Sequence, residues 1–264
     1  MEEIILETKE LCKQYHKQTV LKNINMRIPK GCVYGLLGAN GAGKSTLMKI
    51  LCGMTRADAG EVFFDGKIWS RKCIERIGAL IELPPVYENL SAVDNLKVRT
   101  WTLGISDARI LEVLDIVDLK NTGKKQVGKF SMGMKQRLGI AVALLNDPDF
   151  LILDEPANGL DPFGIRQLRE MLVSFAESGM TVLVSSHILG EIQQTADYIG
   201  ILACGDCGRT TKGTYLEILE FTHFVDFFSF NRLEENHKEK VLVKKVTVVV
   251  ALDLGTGNTK NPEL

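Results

Sequence analysis

The stretch GANGAGKST, residues 38–46, carries the pattern GxxxxGK[ST], in which a glycine-rich loop binds phosphate. Glycine has no Cβ, so such a loop can turn successive backbone N–H groups inward onto an anion. Lys44 adds a cation for β- and γ-phosphates, and Ser45 adds a hydroxyl for Mg²⁺. The apolar run CVYGLL before the loop predicts a buried strand, and TLMKILCGM after it predicts a helix. This context favours a nucleotide-phosphate site over a chance glycine-rich turn. Its candidate residues are Gly38, Asn40, Gly41, Ala42, Gly43, Lys44, Ser45 and Thr46.

The bulk composition is that of a globular chain without an excess of charge. The 264 residues are 45% hydrophobic, which supports one large core or two modest cores. The formal net charge is −1, which argues against nucleic acid as a partner. No apolar run approaches the roughly 18 residues that cross a bilayer, and the acidic start MEEIILETKE lacks the features of a secretory signal. We therefore expect a cytosolic protein.

Six cysteines are scattered along the chain, and most lie in apolar stretches that predict buried, reduced thiols. Cys204 and Cys207 form a CxxC pair, which could hold a metal or act in redox chemistry. A zinc site needs a second pair of ligands, and none occurs at metal-site spacing. The sequence favours the alternative, in which Gly205 and Asp206 form a hairpin turn between short strands.

Short strands alternate with helices along most of the chain, which predicts an α/β fold around a mainly parallel, covered sheet. Asp65-Gly66 predicts a hairpin turn, and Asp161-Pro162 predicts the start of a helix that runs towards Ser178. Ser91 and Asp94 predict a capping box at the start of another helix. The predicted strands are CVYGLL, RIGALI, DFLILD and TVLVSS, and the predicted helices include ARILEVLDIVDL, MKQRLGIAVALL and ILGEIQQTAD.

Two carboxylates follow one another at the end of the apolar strand DFLILD. Asp154 at the strand end can hold Mg²⁺, and Glu155, one residue further on, can orient an attacking water. A solvated acidic turn is the alternative, which the phosphate loop upstream disfavours. His187 follows the strand TVLVSS, where a ring nitrogen could reach a γ-phosphate. A histidine with only a structural role is the alternative there.

Two further candidates are ambiguous from spacing alone. The turn FSMGMKQR opens a helix and offers the Ser131 hydroxyl and the N–H groups around Gly133 to an anion, but an ordinary Ser-capped helix explains the same pattern. Tyr15 could stack on an adenine ring, but an exposed loop tyrosine explains it as well.

The order of these motifs from about Leu6 to Ile218 resembles the nucleotide-binding subunit of an ATP-binding-cassette (ABC) transporter. The matching motifs are Tyr15 as the adenine-stacking aromatic, GANGAGKST as Walker A, LILDEP as Walker B, FSMGMKQR as the signature, ANGLDP with Asp161 as the D-loop, and SSH as the switch histidine. The resemblance implies a phosphate-loop NTPase with a RecA-like core, an antiparallel β-subdomain and an α-helical subdomain at about 85–145. It implies a nucleotide-binding domain over 1–221 and assigns no role to the tail, 222–264.

The resemblance also assigns roles to single residues. It implies ATP and Mg²⁺ as cofactors and an ATP-dependent dimer of two cassettes, either two copies of one chain or two different chains. In that dimer Ser131 and Gly133 of one chain contact the γ-phosphate held by Lys44 of the other. The implied catalytic residues are Lys44, Glu155 and His187, the implied metal ligands are Ser45, Glu82 and Asp154, and Asp161 is a further nucleotide-site residue.

The sequence departs from the family pattern at two places. The signature, usually LSGGQ, reads FSMGM over 130–134, so Ser131 and Gly133 remain while Met132 adds bulk near the phosphate. Glu82 stands where the family has the glutamine of the Q-loop. A carboxylate can still bind Mg²⁺ or water, but it cannot donate a hydrogen bond as an amide does. The alternative is that Glu82 is a surface acid in a mobile loop.

Three stretches resemble the bacterial subgroup that protects cells from lantibiotics and bacitracin-like peptides: IELPPVYENLSAVDNL, SMGMKQRLGIA and NGLDPFGIRQLRE. In that subgroup the ATPase is a separate chain that works with a membrane permease, which implies a place at the cytoplasmic face of the membrane. One alternative is an ABC-type ATPase of DNA repair or translation that has no permease. A phosphate-loop kinase is disfavoured because it leaves the signature and His187 unexplained. An inactive copy is the remaining alternative.

Overall fold

The computed structural model describes residues 2–16, 18–205 and 213–217, which form two β-sheets and six α-helices. Cys207, Asp206 and the predicted tail over 222–264 lie outside the described residues.

The first sheet is antiparallel and is built from the early part of the chain. Its strands are β1 (Ile4–Tyr15), β2 (Gln18–Pro29), β4 (Ala59–Phe64) and β5 (Lys67–Ile68). Their order is β2-β1-β4-β5. Asp65 and Gly66 connect β4 to β5 with positive φ angles of 52° and 73°, so the hairpin predicted at these residues is confirmed.

The second sheet is mainly parallel. Its strands are β3 (Val33–Leu37), β6 (Ile77–Leu80), β7 (Phe150–Leu153), β8 (Thr181–Ser186), β9 (Tyr198–Gly205) and β10 (Gly213–Glu217). The order is β10-β9-β3-β8-β7-β6, and β10 is the antiparallel member at one edge. The four predicted strands are β3, β6, β7 and β8 of this sheet, and the mixed α/β class with a separate antiparallel sheet is confirmed.

Residues of the parallel strands alternate between two hydrophobic cores because successive side chains of a strand point to opposite faces. Val33 and Leu37 belong to a core shared with the helices that follow residue 90, whereas Tyr34 and Leu36 belong to a core shared with the antiparallel sheet. Both faces of the parallel sheet are therefore covered, as its near-continuous apolar strands predict.

The helices are α1 (Lys44–Leu51), α2 (Ala92–Leu103), α3 (Ala108–Ile116), α4 (Met132–Leu144), α5 (Pro162–Glu177) and α6 (Leu189–Gln193). Among the described residues, no helix has the length and apolar character to cross a bilayer. Helices α2, α3 and α4 contact one another, and α4 also packs on β6.

Caps explain where two helices begin. The Ser91 hydroxyl accepts a hydrogen bond from the N–H of Asp94 at 3.1 Å and donates one to the Asp94 carboxylate at 2.6 Å, and this cap starts α2 as predicted. Asp161 accepts from the N–H of Gly164 at 2.8 Å, with Pro162 as the first helical residue of α5.

Two predictions about residues 188–206 were wrong in detail. The helix predicted over 188–197 is shorter, because the N–H of Asp197 donates to the carbonyl of Val33 and draws the chain into β9. Gly205 is not a turn residue but the last residue of β9, where it pairs with Gly213 of β10. The hairpin exists, and its connection is therefore longer than two residues.

Gly78 in β6 marks the closest packing of a helix on the sheet. A Cβ at this position would lie 2.3 Å from the carbonyl oxygen of Ala143 in α4, and backbone cannot move aside as a flexible side chain can. We expect Gly78→Ala to lower the free energy of unfolding by about 2–3 kcal/mol in denaturant titration. The matched control is Gly190→Ala in α6, where a Cβ meets nothing within 4 Å. Equal stability of the two variants would contradict the packing described.

Candidate nucleotide-binding and hydrolysis site

The phosphate loop connects β3 to α1, and two of its glycines have neighbours too close for a Cβ. A Cβ on Gly38 would lie 2.6 Å from the carbonyl oxygen of Leu202. Gly43 has a φ of 97°, which residues with a side chain rarely adopt, and a Cβ there would lie 2.9 Å from the side chain of Leu21.

The other candidate residues of the loop differ in exposure. Asn40 and Gly41 are exposed at the tip, Ala42 is buried, and Ser45 and Thr46 are half-buried in the first turn of α1.

Lys44 is buried, with 6% of its side chain exposed, and its ammonium group lies among three oxygens. It donates to the carbonyls of Gly38 at 2.6 Å and Ala39 at 3.3 Å. The carboxylate Oε1 of Glu155 lies 3.0 Å away as an ion pair. The cation is thus fixed inside the loop and beside the acid that follows β7, the second strand from β3 in the sheet.

Asp154 and Glu155 follow β7 and are held by one hydroxyl group. The Oγ of Ser185 in β8 donates to Asp154 Oδ1 at 2.6 Å, and the same Oγ accepts from the N–H of Glu155 at 2.7 Å. Ser185 has no exposed surface, so this bridge is entirely internal. It fixes the position of both acidic residues relative to β8.

Glu155 also contacts His187, whose Nδ1 lies 2.7 Å from Glu155 Oε2. Burial raises the pKa of Glu155, but the contacts with His187 and Lys44 outweigh burial and leave the pKa below its ordinary value. The carboxylate is therefore ionised at neutral pH. Its Oε1 is buried and, despite the nearby ammonium, has no partner in hydrogen-bond geometry.

Tyr15 and Glu82 lie at exposed positions of the same region. Tyr15 ends β1 with 43% of its surface exposed, and the Lys13 ammonium lies 5.1 Å from the centre of its ring. Glu82 follows β6 with its carboxylate 62% exposed and 2.5 Å from the ammonium of Lys49 in α1.

Ser131, Gly133 and Asp161 are grouped at a second place. Ser131 caps α4 by accepting from the N–H of Met134 at 3.3 Å, and Asp161 caps α5. These three residues line one cavity of about 230 Å³ between the starts of α4 and α5. Within the described ranges they form no hydrogen bond to the phosphate loop. A single chain therefore presents two separate surfaces, one with the loop and one with the signature.

A larger cavity of about 520 Å³ lies before the start of β3, at the end of that strand opposite the phosphate loop. Lys30, Cys32 and Asp197 are among its lining residues, and none of the candidate site residues is.

Residues 21–158 match the family model described as "ABC transporter". The chain belongs to this family. It is 54% identical over 198 residues to the lantibiotic transport ATP-binding protein SrtF of Streptococcus pyogenes, an alignment that covers 75% of the chain and 86% of that protein. It is 43% identical over 227 residues to the bacitracin transport ATP-binding protein BcrA of Bacillus licheniformis, covering 83% of the chain and 71% of that protein.

A solved structure supports the same assignment. The chain matches cbiO1 of Clostridium perfringens, described as part of the ABC transporter complex cbiONQ, with a TM-score of 0.68 and 30% identity. The match covers 76% of this chain and 85% of cbiO1. The phosphate-loop NTPase fold and the resemblance to the lantibiotic and bacitracin subgroup are confirmed, and the chain is the ATP-hydrolysing subunit of an ABC transporter. A DNA-repair or translation-associated ATPase is not favoured.

Ser185 is the site residue that the sequence analysis missed. A serine pair at the end of an otherwise apolar strand is a signal that could have found it, since a fully buried hydroxyl needs a partner. We expect Ser185→Ala to leave Asp154 Oδ1 and the Glu155 N–H without their bond, at a cost of about 1–3 kcal/mol for each group.

Because the two acids are then no longer held in place relative to β8, the Ser185→Ala variant should hydrolyse ATP at least about tenfold more slowly, which corresponds to about 1.4 kcal/mol of activation barrier. Binding of ATP should change less than turnover. Ser174→Ala is the matched control, because its hydroxyl bonds only within α5, to the carbonyl of Met171. Wild-type turnover in Ser185→Ala would show that the bridge does not position the acids.

Proposed function

We propose that this chain hydrolyses ATP to drive a separately encoded membrane permease that expels a lantibiotic or a related antimicrobial peptide. The observation that carries the proposal is the convergence of Lys44 and His187 on Glu155, each within 3.0 Å of its carboxylate, at the mouth of a phosphate loop. The peptide class rests on the likeness to SrtF and BcrA, whose names describe them as transport proteins for lantibiotics and bacitracin.

The residues present suit Mg·ATP. Mg²⁺ prefers oxygen ligands and takes only one or two from protein when a nucleotide supplies phosphates. The Ser45 hydroxyl and the Asp154 carboxylate are such ligands, and Glu82 is a further candidate if its carboxylate leaves Lys49. When bound, Mg²⁺ offsets the charge of the β- and γ-phosphates.

We assign the remaining steps to this chain's own groups. Lys44 and the loop N–H groups hold the phosphates, and Tyr15 stacks on adenine. Glu155, which stays ionised at neutral pH, accepts a hydrogen bond from the attacking water. His187 contacts the γ-phosphate with the ring nitrogen that Glu155 does not use.

Two cassettes complete the site in this proposal. Ser131 and Gly133, which lie apart from the loop of their own chain, contact the γ-phosphate held by a second cassette, with Asp161 near the same boundary. The arrangement corresponds to a nucleotide-binding domain over 1–221 with a helical subdomain at about 85–145. The tail over 222–264 receives no role.

The segment after β6 is the surface that we assign to the permease, which places the chain at the cytoplasmic face of the membrane. Leu83 is 80% exposed and Tyr87 is 52% exposed, an unusual exposure for large apolar side chains so close together. The segment is nevertheless anchored. The side chain of buried Asn95 bonds both the N–H and the carbonyl of Tyr87, at 2.7 and 3.0 Å.

A chain of contacts leads from this segment to the signature. The carbonyl of Glu88 accepts from the N–H of Gly128 at 2.8 Å, and the Glu88 carboxylate pairs with Lys135 of α4 at 2.6 Å. Gly128 and Lys135 flank Ser131 on either side in sequence. A displacement of the segment by the permease would therefore be passed to the residues around Ser131.

We expect Glu155→Gln to bind ATP and to hydrolyse it at least about a hundredfold more slowly, since the water loses its anionic acceptor. ATP-bound dimers of this variant should persist in size-exclusion chromatography, because hydrolysis no longer separates them. The variant Glu177→Gln, at the end of α5, is the control. Full turnover by Glu155→Gln would remove that residue from its role.

The permease surface is tested by co-expression with the candidate permease, a polytopic membrane protein sought in the neighbouring reading frame, followed by co-purification and peptide-stimulated ATP hydrolysis. We expect Leu83→Ser to lose the stimulation and to keep ATP hydrolysis by the isolated chain. The control is Ile68→Ser in β5, which is 65% exposed in the antiparallel sheet. Undiminished stimulation with Leu83→Ser would place the permease contact elsewhere.

A further inference from the structure

Lys49 and Glu82 form a close ion pair beside the phosphate loop. Lys49 lies in the last turn of α1, the helix that begins at Lys44, and its ammonium is 2.5 Å from Glu82 Oε1. Lys49 is the one cation paired with Glu82 in the part of the chain that the structure describes. The pair links the helix that carries the loop to the segment that follows β6.

The carboxylate of Glu82 adds negative charge to a region that already contains other acidic side chains. Asp154 and Glu155 lie after the adjacent strand β7, and a nucleotide would bring several phosphate charges to the same place. The glutamine that the family has here carries no charge, so this chain needs a compensating cation that the usual pattern does not require.

Lys49 is in electrostatic reach of the groups concerned. The hydrogen bond from Lys49 to Glu82 raises the pKa of Lys49 most, burial opposes it, and the negative charges of Glu82 and Asp154 add to the rise. The ammonium therefore stays charged at neutral pH.

The backbone at Glu82 is held in an uncommon conformation. Its φ is 66°, in the left-handed region that residues other than glycine, asparagine and aspartate rarely adopt. Such a conformation persists only where surrounding contacts maintain it. The hydrogen bond that Lys49 donates to the Glu82 side chain is a contact that can hold this backbone conformation.

We propose that Lys49 is a positioning residue that neutralises Glu82 and holds it against the phosphate-loop helix, so that an acid is tolerated where an amide is usual. The inference rests on the proposed nucleotide site and goes beyond it. With Lys49 in place, the Glu82 carboxylate is kept from repelling the triphosphate. Without Lys49, the carboxylate is free to repel ATP or to take part in binding Mg²⁺.

The test measures ATP affinity by calorimetry on the full chain, both in EDTA and in excess Mg²⁺. The four proteins are wild type, Lys49→Met, Glu82→Gln and the double variant. In EDTA we expect Lys49→Met to weaken ATP binding about threefold, the effect of one uncompensated charge about 10 Å from a phosphate at an effective dielectric near 20, after screening by salt with a Debye length of about 10 Å. In the double variant we expect an affinity close to that of wild type, because it carries neither the cation nor the carboxylate.

Magnesium supplies a second readout. Because Mg²⁺ offsets the charge of both the phosphates and a freed Glu82, the loss in Lys49→Met should be smaller in excess Mg²⁺ than in EDTA. A role in folding alone would give no such dependence on the metal, and thermal unfolding checks that each variant is folded. The control is Lys120→Met, which breaks an exposed Lys–Asp pair with Asp115 (3.1 Å apart) outside the proposed nucleotide site.

The outcomes are distinct. If the double variant bound ATP as weakly as Lys49→Met, the inference would be overturned, because the loss would then not come from the charge of Glu82. No loss in Lys49→Met would also overturn it and leave the pair an ordinary surface contact. If wild type itself did not take up ATP, the proposed function would fail, which is a different result from either.

Discussion

The ammonium group of Lys44 is the charge around which the site is arranged. A buried cation is costly unless anionic or dipolar oxygens surround it, and here two loop carbonyls and the Glu155 carboxylate do so. This requirement ties the end of β3 to the end of β7. In the sheet order β3-β8-β7 the strand between them is β8, which contributes Ser185 to the acids and leads directly into His187. Loop, acids and histidine thus meet because the parallel strands end at one edge.

The sequence predicted most of the parts because their signals are local. The loop pattern, the apolar run of β7 with its terminal acids, and the caps at Ser91 and Asp161 depend on neighbours within a few residues. The order of strands depends on contacts across the whole chain, and the pairing of β3 with β8 joins residues about 150 positions apart. Neither the Ser185 bridge nor the Lys49–Glu82 pair could be read from spacing, since each joins two segments that become neighbours only after the sheet has formed. The helix predicted over 188–197 failed for the same reason, because a contact with β3 ends it early.

The two departures from the family pattern differ in their structural consequences. Glu82 has a partner in Lys49, and the pair converts an added charge into a contact between α1 and the segment after β6. Met132 is 53% exposed beside Gly159, so its bulk lies at the surface near the signature rather than in the core. Both changes leave the fold intact and alter the surfaces at which the nucleotide and a second cassette would meet the chain.

The most direct test of this account is the affinity of wild type and of Lys44→Ala for Mg·ATP, measured by calorimetry under the same salt conditions. Loss of a buried cation that contacts phosphate is expected to weaken binding by more than about tenfold, or about 1.4 kcal/mol, in a variant that remains folded. Equal affinity of the two proteins for Mg·ATP would contradict the account, because the buried cation that the loop carbonyls and Glu155 surround would then have no part in holding the nucleotide.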